Sequence, residues 1–116
     1  MNYIRFIKFL RSDFEISNNK YTSIKFFRSQ LVLIFVWLWV LERYYAKELY
    51  NVEELNQNIP KEHASRPTIY KFIDLAIEKK FLKRLPSVSD KRKWNLEPTK
   101  QTVDEFELWS KGFSNF

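Results

Sequence analysis

Hydrophobic residues recur with a helical period over most of this chain, most clearly between residues 65 and 80. In SRPTIYKFIDLAIEKK the apolar positions follow the spacing i, i+3, i+4, i+7 and i+8, which places them on one face of a helix. That face holds Ile69, Phe72, Ile73, Ala76 and Ile77. The opposite face holds Thr68, Tyr70, Lys71, Asp74 and Glu78. The pattern therefore predicts an amphipathic helix with one polar, exposed side.

The hydrophobic period changes from 3.6 to 2 directly after this helix. Residues 81–85, FLKRL, have strand character, and so do residues 93–97, KWNLE, in which Trp94 and Leu96 are predicted to point inward. The intervening PSVSDKRK can join the two segments. We therefore predict an antiparallel β-hairpin with a charged tip.

Four further helices are predicted elsewhere in the chain. They cover residues 3–11, about 21 to 49, 51–59 and about 99–111. A break is expected at residues 17–19, because Ser and Asn side chains compete for backbone hydrogen bonds. Asn51 is a suitable N-cap for the third of these helices. The last helix is predicted to turn Val103, Phe106, Leu108 and Trp109 inward.

The longest apolar run is LVLIFVWLWVL, residues 31–41. As a helix it would be roughly 16 Å long, which is about half of a bilayer core. Polar and charged residues flank the run on both sides, so a buried core helix is the better interpretation and no membrane partner is expected. A helix that is apolar all round needs cover on every side, and a second copy of the chain could supply part of it.

Composition narrows the possible functions. The chain has 116 residues, no Cys, one His (His63) and one Gly (Gly112), which excludes disulfides, thiolate or multi-His metal sites and a Gly-rich phosphate loop. No nucleophile–base pair can be assembled, so we expect no enzyme, no cofactor and no metal. The length fits one domain, residues 1–116, made of N-terminal helices (1–49), a helix pair with a hairpin (50–98) and a C-terminal helix (99–116).

Positive charge is concentrated in one part of the chain. The net charge is +6, and residues 60–100 hold 11 Lys and Arg against 5 Asp and Glu. Such concentration favours an anionic partner, either nucleic acid or an acidic membrane surface. A charged hairpin tip alone is more often a solvated turn. Placed after a helix pair, however, it favours nucleic acid.

The order of helix, turn, helix and basic hairpin predicts a winged helix-turn-helix, a mainly α fold with a small β-hairpin (α+β). The second helix of the pair can lie in a major groove and present its first residues to base edges, while the hairpin contacts phosphates or the adjacent minor groove. The candidate DNA-binding residues are Ser65, Arg66, Thr68, Tyr70, Lys71, Arg84, Ser89, Asp90, Lys91, Arg92 and Lys93.

Residues 65–99 resemble the DNA-binding lobe of the MarR family of winged-helix transcriptional regulators. The matching residues are Ser65, Pro67 and Thr68 in the helix opening, Asp90 and Arg92 in the wing, and Thr99 at the step into the next helix. The resemblance implies that Arg92 reaches the minor groove while Asp90 orients it. It also implies a homodimer, a small aromatic effector and a cytoplasmic, nucleoid-associated protein.

The chain departs from the family pattern at three positions. Lys80 stands where the family has a turn glycine, so the helix must end without glycine's easy left-handed conformation. Pro98 and Thr102 replace a leucine and a further glycine. The stretch after Thr99 is also short for the family's two C-terminal dimerisation helices. The N-terminal helices and residues 31–45 would then contribute more of a dimer interface.

Two other functions remain open at this point. One is a protein-interaction module on a winged-helix scaffold, which the acidic Asp74 and Glu78 on the exposed helix face favour. The other is a membrane-surface protein that uses the apolar run and nearby basic residues. The aromatic residues Phe35, Trp37, Trp39, Tyr44 and Tyr45 are expected mainly in core and dimer packing, with an effector pocket as the alternative.

Overall fold

The computed structural model describes residues 2–86 and 94–115 and has the predicted winged helix-turn-helix order. The elements are α1 (Tyr3–Lys20), α2 (Thr22–Phe27), α3 (Leu31–Tyr45), α4 (Val52–Asn58), α5 (Arg66–Glu78), β1 (Leu82–Pro86), β2 (Trp94–Pro98), α6 (Lys100–Ser110) and a final 3₁₀ turn (Lys111–Asn115). The described residues are mostly helical, with a two-stranded antiparallel sheet, so the fold class is as predicted.

The predicted break at residues 17–19 is wrong, because α1 continues through it to Lys20. The Ser17 hydroxyl donates to the Asp13 carboxylate one turn earlier, at 2.5 Å. That side chain therefore has a partner on the helix surface and does not compete for the helix backbone. The chain leaves helical geometry at Tyr21, whose backbone is extended.

The long helix predicted over 21–49 is also wrong, because it divides into α2 and α3. Ser29 donates its hydroxyl to the Phe26 carbonyl at 2.6 Å, which satisfies one carbonyl at the end of α2. Gln30 then adopts an extended conformation and precedes α3. The sequence carries no Gly or Pro at this position, so the break had no strong local signal.

Helix α3 is the centre of the core, as the apolar run predicted. Its buried side chains are Val32, Leu33, Val36, Trp37, Val40 and Leu41. Burial of each large apolar side chain contributes about 1.5–3 kcal/mol, so these six side chains make a substantial contribution to the stability of the fold. Trp37 packs against Phe27, Phe106 and Trp109, which confirms the core role expected for that ring. No helix within residues 2–86 and 94–115 is long and apolar enough to cross a bilayer.

The helix pair and its stripe form as predicted. Asn51 caps α4 and accepts a hydrogen bond from the Glu54 backbone N–H at 2.9 Å. In α5, Ile69, Ile73 and Ala76 are buried against the core. The buried stripe fixes which side of α5 faces solvent, and that side is the predicted polar one.

Helix α5 ends in a left-handed turn at Lys80, whose φ is 66°. The Phe81 N–H donates to the Ala76 carbonyl at 2.9 Å and the Lys80 N–H to the Ile77 carbonyl at 3.0 Å. These two bonds are those of a Schellman motif, in which the residue with positive φ is usually glycine. Lys80 adopts this conformation despite its side chain.

The hairpin pairs β1 with β2 in a register from Leu82 opposite Pro98 to Pro86 opposite Trp94. Leu96 is buried as predicted, but Trp94 is 48% exposed, so its inward placement is wrong. The two side chains share one face of the strand, and Trp94 lies at the end farther from the core. Leu108 of α6 is also exposed, contrary to prediction, because it lies about 200° around the helix from Phe106.

Candidate nucleic-acid interface

The start of α5 brings together the polar residues predicted to read DNA. Ser65 occupies the N-cap position with extended backbone angles, and its hydroxyl lies 3.0 Å from the Thr68 hydroxyl. Within the described ranges the Ser65 side chain caps no backbone N–H of α5. The first N–H groups of the helix therefore point outward, where an anionic group can meet them.

Arg66 and Tyr70 share one acidic partner on the preceding helix. Nη2 of Arg66 donates to Oε2 of Glu53 at 2.7 Å, and the Tyr70 hydroxyl donates to the same oxygen at 2.5 Å. The guanidinium also lies over the Tyr70 ring, 5.4 Å from its centroid. The side chain of Arg66 remains 61% exposed, so most of its donors still face solvent.

The electrostatics of this cluster follow from its contacts. The hydrogen bond from Tyr70 and the nearby Arg66 charge hold the pKa of Glu53 below its usual value. Partial burial and the bond to Glu53 raise the pKa of the Tyr70 hydroxyl. At neutral pH the cluster therefore contains a carboxylate, a guanidinium and a protonated phenol.

A second ion pair connects the hairpin to α5. Nη2 of Arg84, on β1, lies 2.6 Å from Oδ1 of Asp74. Both side chains are largely exposed, so the pair contributes little to stability. It does bring Arg84 next to Asp74, which lies one turn after Tyr70 on the same face of α5.

The remaining predicted contacts divide into two groups. Lys71 is exposed on α5, beside Tyr70. The wing residues Ser89, Asp90, Lys91, Arg92 and Lys93 lie outside the described residues. Among the predicted residues, the structure thus brings Ser65 next to Thr68 and Arg66 next to Tyr70, and it pairs Arg84 with Asp74.

A cleft of about 280 Å³ separates α5 from the base of the hairpin. Tyr70 and Ile73 line its helix side, Val52 its floor from α4, and Trp94 its hairpin side. The exposure of Trp94 is thereby explained, since the indole flanks a groove and not the core. No cluster of His, Asp and Glu suited to a metal ion occurs in the part of the chain that the structure describes.

Sequence reasoning missed the role of Glu53. The sequence shows Glu53 only as an acid in the first turn of α4, where a negative charge is favourable. Arg66 and Tyr70, at i and i+4, were predictable as neighbours on one helix face. Their common partner was not, because the angle between α4 and α5 decides which side chain of α4 faces them.

Comparison with known proteins reveals the fold. No protein-family model matches the chain, and no curated protein sequence matches it. Among solved structures, a MepR mutant from a multidrug-resistant S. aureus clinical isolate has a TM-score of 0.61, with 11% identity over 99% of this chain and 78% of that one. A transcriptional regulator from Thermotoga maritima has a TM-score of 0.59, with 15% identity over 98% and 74%. An E. coli MarR mutant complexed with operator DNA has a TM-score of 0.53, with 18% identity over 92% and 70%.

This chain has the winged-helix fold of MarR. The likeness spans nearly all of the chain, whereas the sequence resemblance was strongest over residues 65–99. Within the MarR fold, α4 and α5 form the helix-turn-helix and β1 and β2 form the wing. Helix α1 contacts α6 through the Asp13–Trp109 hydrogen bond and the final 3₁₀ turn through the Phe9–Phe113 ring contact. The identities of 11–18% show a shared architecture, and the role of individual residues is argued below.

Proposed function

We propose that this chain is a transcriptional regulator that binds double-stranded DNA, with no enzymatic activity and no cofactor. The observation that carries the proposal is the start of α5, where the guanidinium of Arg66 is largely exposed and Lys71 is exposed on the polar side of the helix. The fold shared with an E. coli MarR mutant solved with operator DNA supports it. A cytoplasmic location with association to the nucleoid follows from this role.

In the proposed complex, α5 lies in the major groove, which is about 12 Å wide. The residues near base edges are Ser65, Arg66, Thr68, Tyr70 and Lys71. An arginine or lysine paired with a guanine contributes about 1–3 kcal/mol of discrimination if the pair is bidentate. The N–H groups at the helix start supply a phosphate contact.

The wing supplies charge in this proposal. Lys91, Arg92 and Lys93 neutralise phosphates or enter the adjacent minor groove, with Asp90 and Ser89 shaping the tip. Arg84 at the base of the wing adds a further positive group beside α5. Binding is therefore expected to weaken steeply as salt concentration rises, because each neutralised phosphate releases counterions.

Selection of bound duplexes from a random DNA pool tests the proposal. We expect enrichment of a roughly palindromic sequence, and affinity for it that falls linearly on a log–log plot against salt. Recovery of DNA without any shared sequence would contradict the proposal.

A homodimer is part of this proposal, because a palindromic site mirrors a two-fold axis. The apolar side chains of Tyr3, Ile7 and Phe14 are exposed along one side of α1. Leu31 and Leu38 are exposed on α3. Covering such surfaces favours association with a second copy.

A small aromatic effector is also part of this proposal. A cavity of about 210 Å³ lies between α1 and α6, with the Trp109 and Phe9 rings and the Asp13 carboxylate in its lining. We propose that a small planar phenol binds there. A rise in melting temperature with phenol, and none with cyclohexanol, would support this part of the proposal.

The alternative is a protein-interaction module on the same fold. Asp74 and Glu78 on the exposed side of α5 support it, since acids there oppose close approach to phosphates. This alternative predicts weak, sequence-indifferent DNA binding. The selection experiment separates the two functions directly.

A further inference from the structure

Glu53 of α4 connects two residues of the recognition helix through a single carboxylate oxygen. Both Nη2 of Arg66 and the hydroxyl of Tyr70 donate to its Oε2, at 2.7 and 2.5 Å. Arg66 and Tyr70 are four residues apart and so project from the same face of α5. With the Tyr70 ring also beneath the guanidinium, Arg66 is held from two sides.

Fold stability does not account for this arrangement. Exposed ion pairs contribute little to stability, and the side chains of Arg66 and Glu53 are 61% and 38% exposed. The guanidinium has five N–H donors in a planar fork. Since Glu53 engages Nη2, the exposed remainder of the fork is available to a second partner on the DNA side.

An arginine held in this way loses less conformational freedom when it forms a bidentate pair. A free arginine side chain populates many rotamers, and part of this conformational entropy is lost on binding. Ordering Arg66 before DNA arrives reduces that loss for the geometry in which it is held. This smaller entropy loss favours binding to a guanine edge that matches the held geometry of Arg66. It does not favour binding to phosphates in general.

The negative charge of Glu53 also favours specific over non-specific DNA binding. Non-specific binding depends on the number of phosphates that the protein neutralises. A carboxylate beside Arg66 offsets the positive charge that a phosphate would meet, whereas a guanine edge is neutral and is recognised by donor geometry. Specific binding therefore weakens less than non-specific binding.

We infer that Glu53 is a specificity-determining positioning residue, which orients Arg66 together with Tyr70 toward a guanine edge and suppresses binding to random DNA. The inference rests on the proposed function and extends it to a residue that needs no contact with DNA. Asp74 has the corresponding position beside Arg84, but there the acid holds a single partner.

The test compares wild type with E53Q on the selected duplex, on the same duplex with one guanine pair replaced, and on random DNA. We expect the affinity ratio between selected and random duplex to fall about tenfold in E53Q, a change within the range of one bidentate contact. Affinity for random DNA should rise. The loss of discrimination should be confined to one base pair, a result that a general weakening of the fold would not produce.

The control variant is E54Q, which removes the same charge from the same turn of α4. Glu54 is exposed, and within the described residues its carboxylate has no ion pair or side-chain hydrogen bond. We expect its specificity ratio to stay within a factor of two of wild type. A double-mutant cycle adds R66A, in whose background E53Q should have no further effect on the ratio.

The outcomes are distinguishable. A wild-type protein without sequence preference overturns the proposed function and this inference together. If wild type discriminates and E53Q discriminates equally well, the inference alone is overturned. An undiminished effect of E53Q in the R66A background overturns it too, because Glu53 would then not act through Arg66.

Discussion

Trp109 donates its indole N–H to the Asp13 carboxylate, at 2.9 and 3.0 Å to the two oxygens, and so connects α6 to α1. Arg28, in the turn after α2, lies 2.7 Å from the same carboxylate. The side chains of Asp13 and Arg28 are each only 7% exposed. One buried carboxylate thus joins three elements that are far apart in the sequence.

Replacement of Asp13 by Asn is expected to lower the free energy of unfolding by about 3 kcal/mol, because it leaves the Arg28 charge buried without its counter-ion. Urea unfolding followed by tryptophan fluorescence measures the change. Glu15→Gln, an exposed acid two residues later, is the matched control and should change stability by less than about 0.5 kcal/mol. Equal effects of the two variants would contradict the assignment.

The ionisation of Asp13 is also expected to make the stability of the protein depend on pH in the acid range. Burial alone would raise its pKa, but hydrogen bonds from Ser17, Arg28 and Trp109 outweigh burial and hold the pKa below its usual value. The charged form is therefore favoured by folding. Its contribution is present above the pKa of the unfolded chain, about 3.9, and is lost as pH falls through the lower folded value. Melting temperature should fall more steeply below about pH 4 in wild type than in Asp13→Asn, and parallel curves would refute this.

Replacement of Lys80, unlike that of Asp13, is expected to stabilise the protein. A side chain in the left-handed region costs about 1 kcal/mol, and glycine avoids that cost, so Lys80→Gly should stabilise the protein by about that amount. Lys79→Gly is the control, because Lys79 has right-handed helical angles and gains nothing from glycine. Thermal unfolding of both variants should shift in opposite directions. A destabilised Lys80→Gly would show that the turn does not need a positive φ.

The wing prediction concerns charge. Lys91→Ala combined with Arg92→Ala should weaken DNA binding and reduce the slope of log affinity against log salt by about two. Lys25→Ala combined with Lys111→Ala removes the same charge at exposed positions outside the proposed interface. Fluorescence anisotropy across a salt series measures both. An unchanged slope in the wing variant would exclude the wing from the interface.

The dimer prediction concerns α1. Ile7→Glu places a charge within the exposed apolar side of the helix, and we expect it to shift a dimer to monomers in sedimentation experiments without a loss of helical content. Ser12→Glu adds a charge to the same helix about 140° away and should leave the dimer intact. A wild-type monomer at micromolar concentration would contradict the dimer itself.

The local patterns of the chain were sufficient for the helix-turn-helix and its wing. The stripe of α5, the Asn51 cap and the change of period after residue 80 are set by neighbouring residues, and the structure confirms them. The boundaries of α1 to α3 were not predictable in the same way. Ser17 remains helical through its bond to Asp13, and Arg28 turns away from α2 to reach that same carboxylate.

The candidate site was likewise predictable from the sequence only in part. Residue type and spacing were enough to identify the exposed face of α5 with Tyr70, Lys71 and Asp74, since a helix fixes which side chains share a face. The partners of that face depend on packing. Glu53 meets Arg66 and Tyr70 because α4 crosses α5 at a particular angle, and Trp94 borders a cleft because β2 extends beyond the core. Contacts between elements distant in sequence follow from how the core closes, which no local pattern encodes.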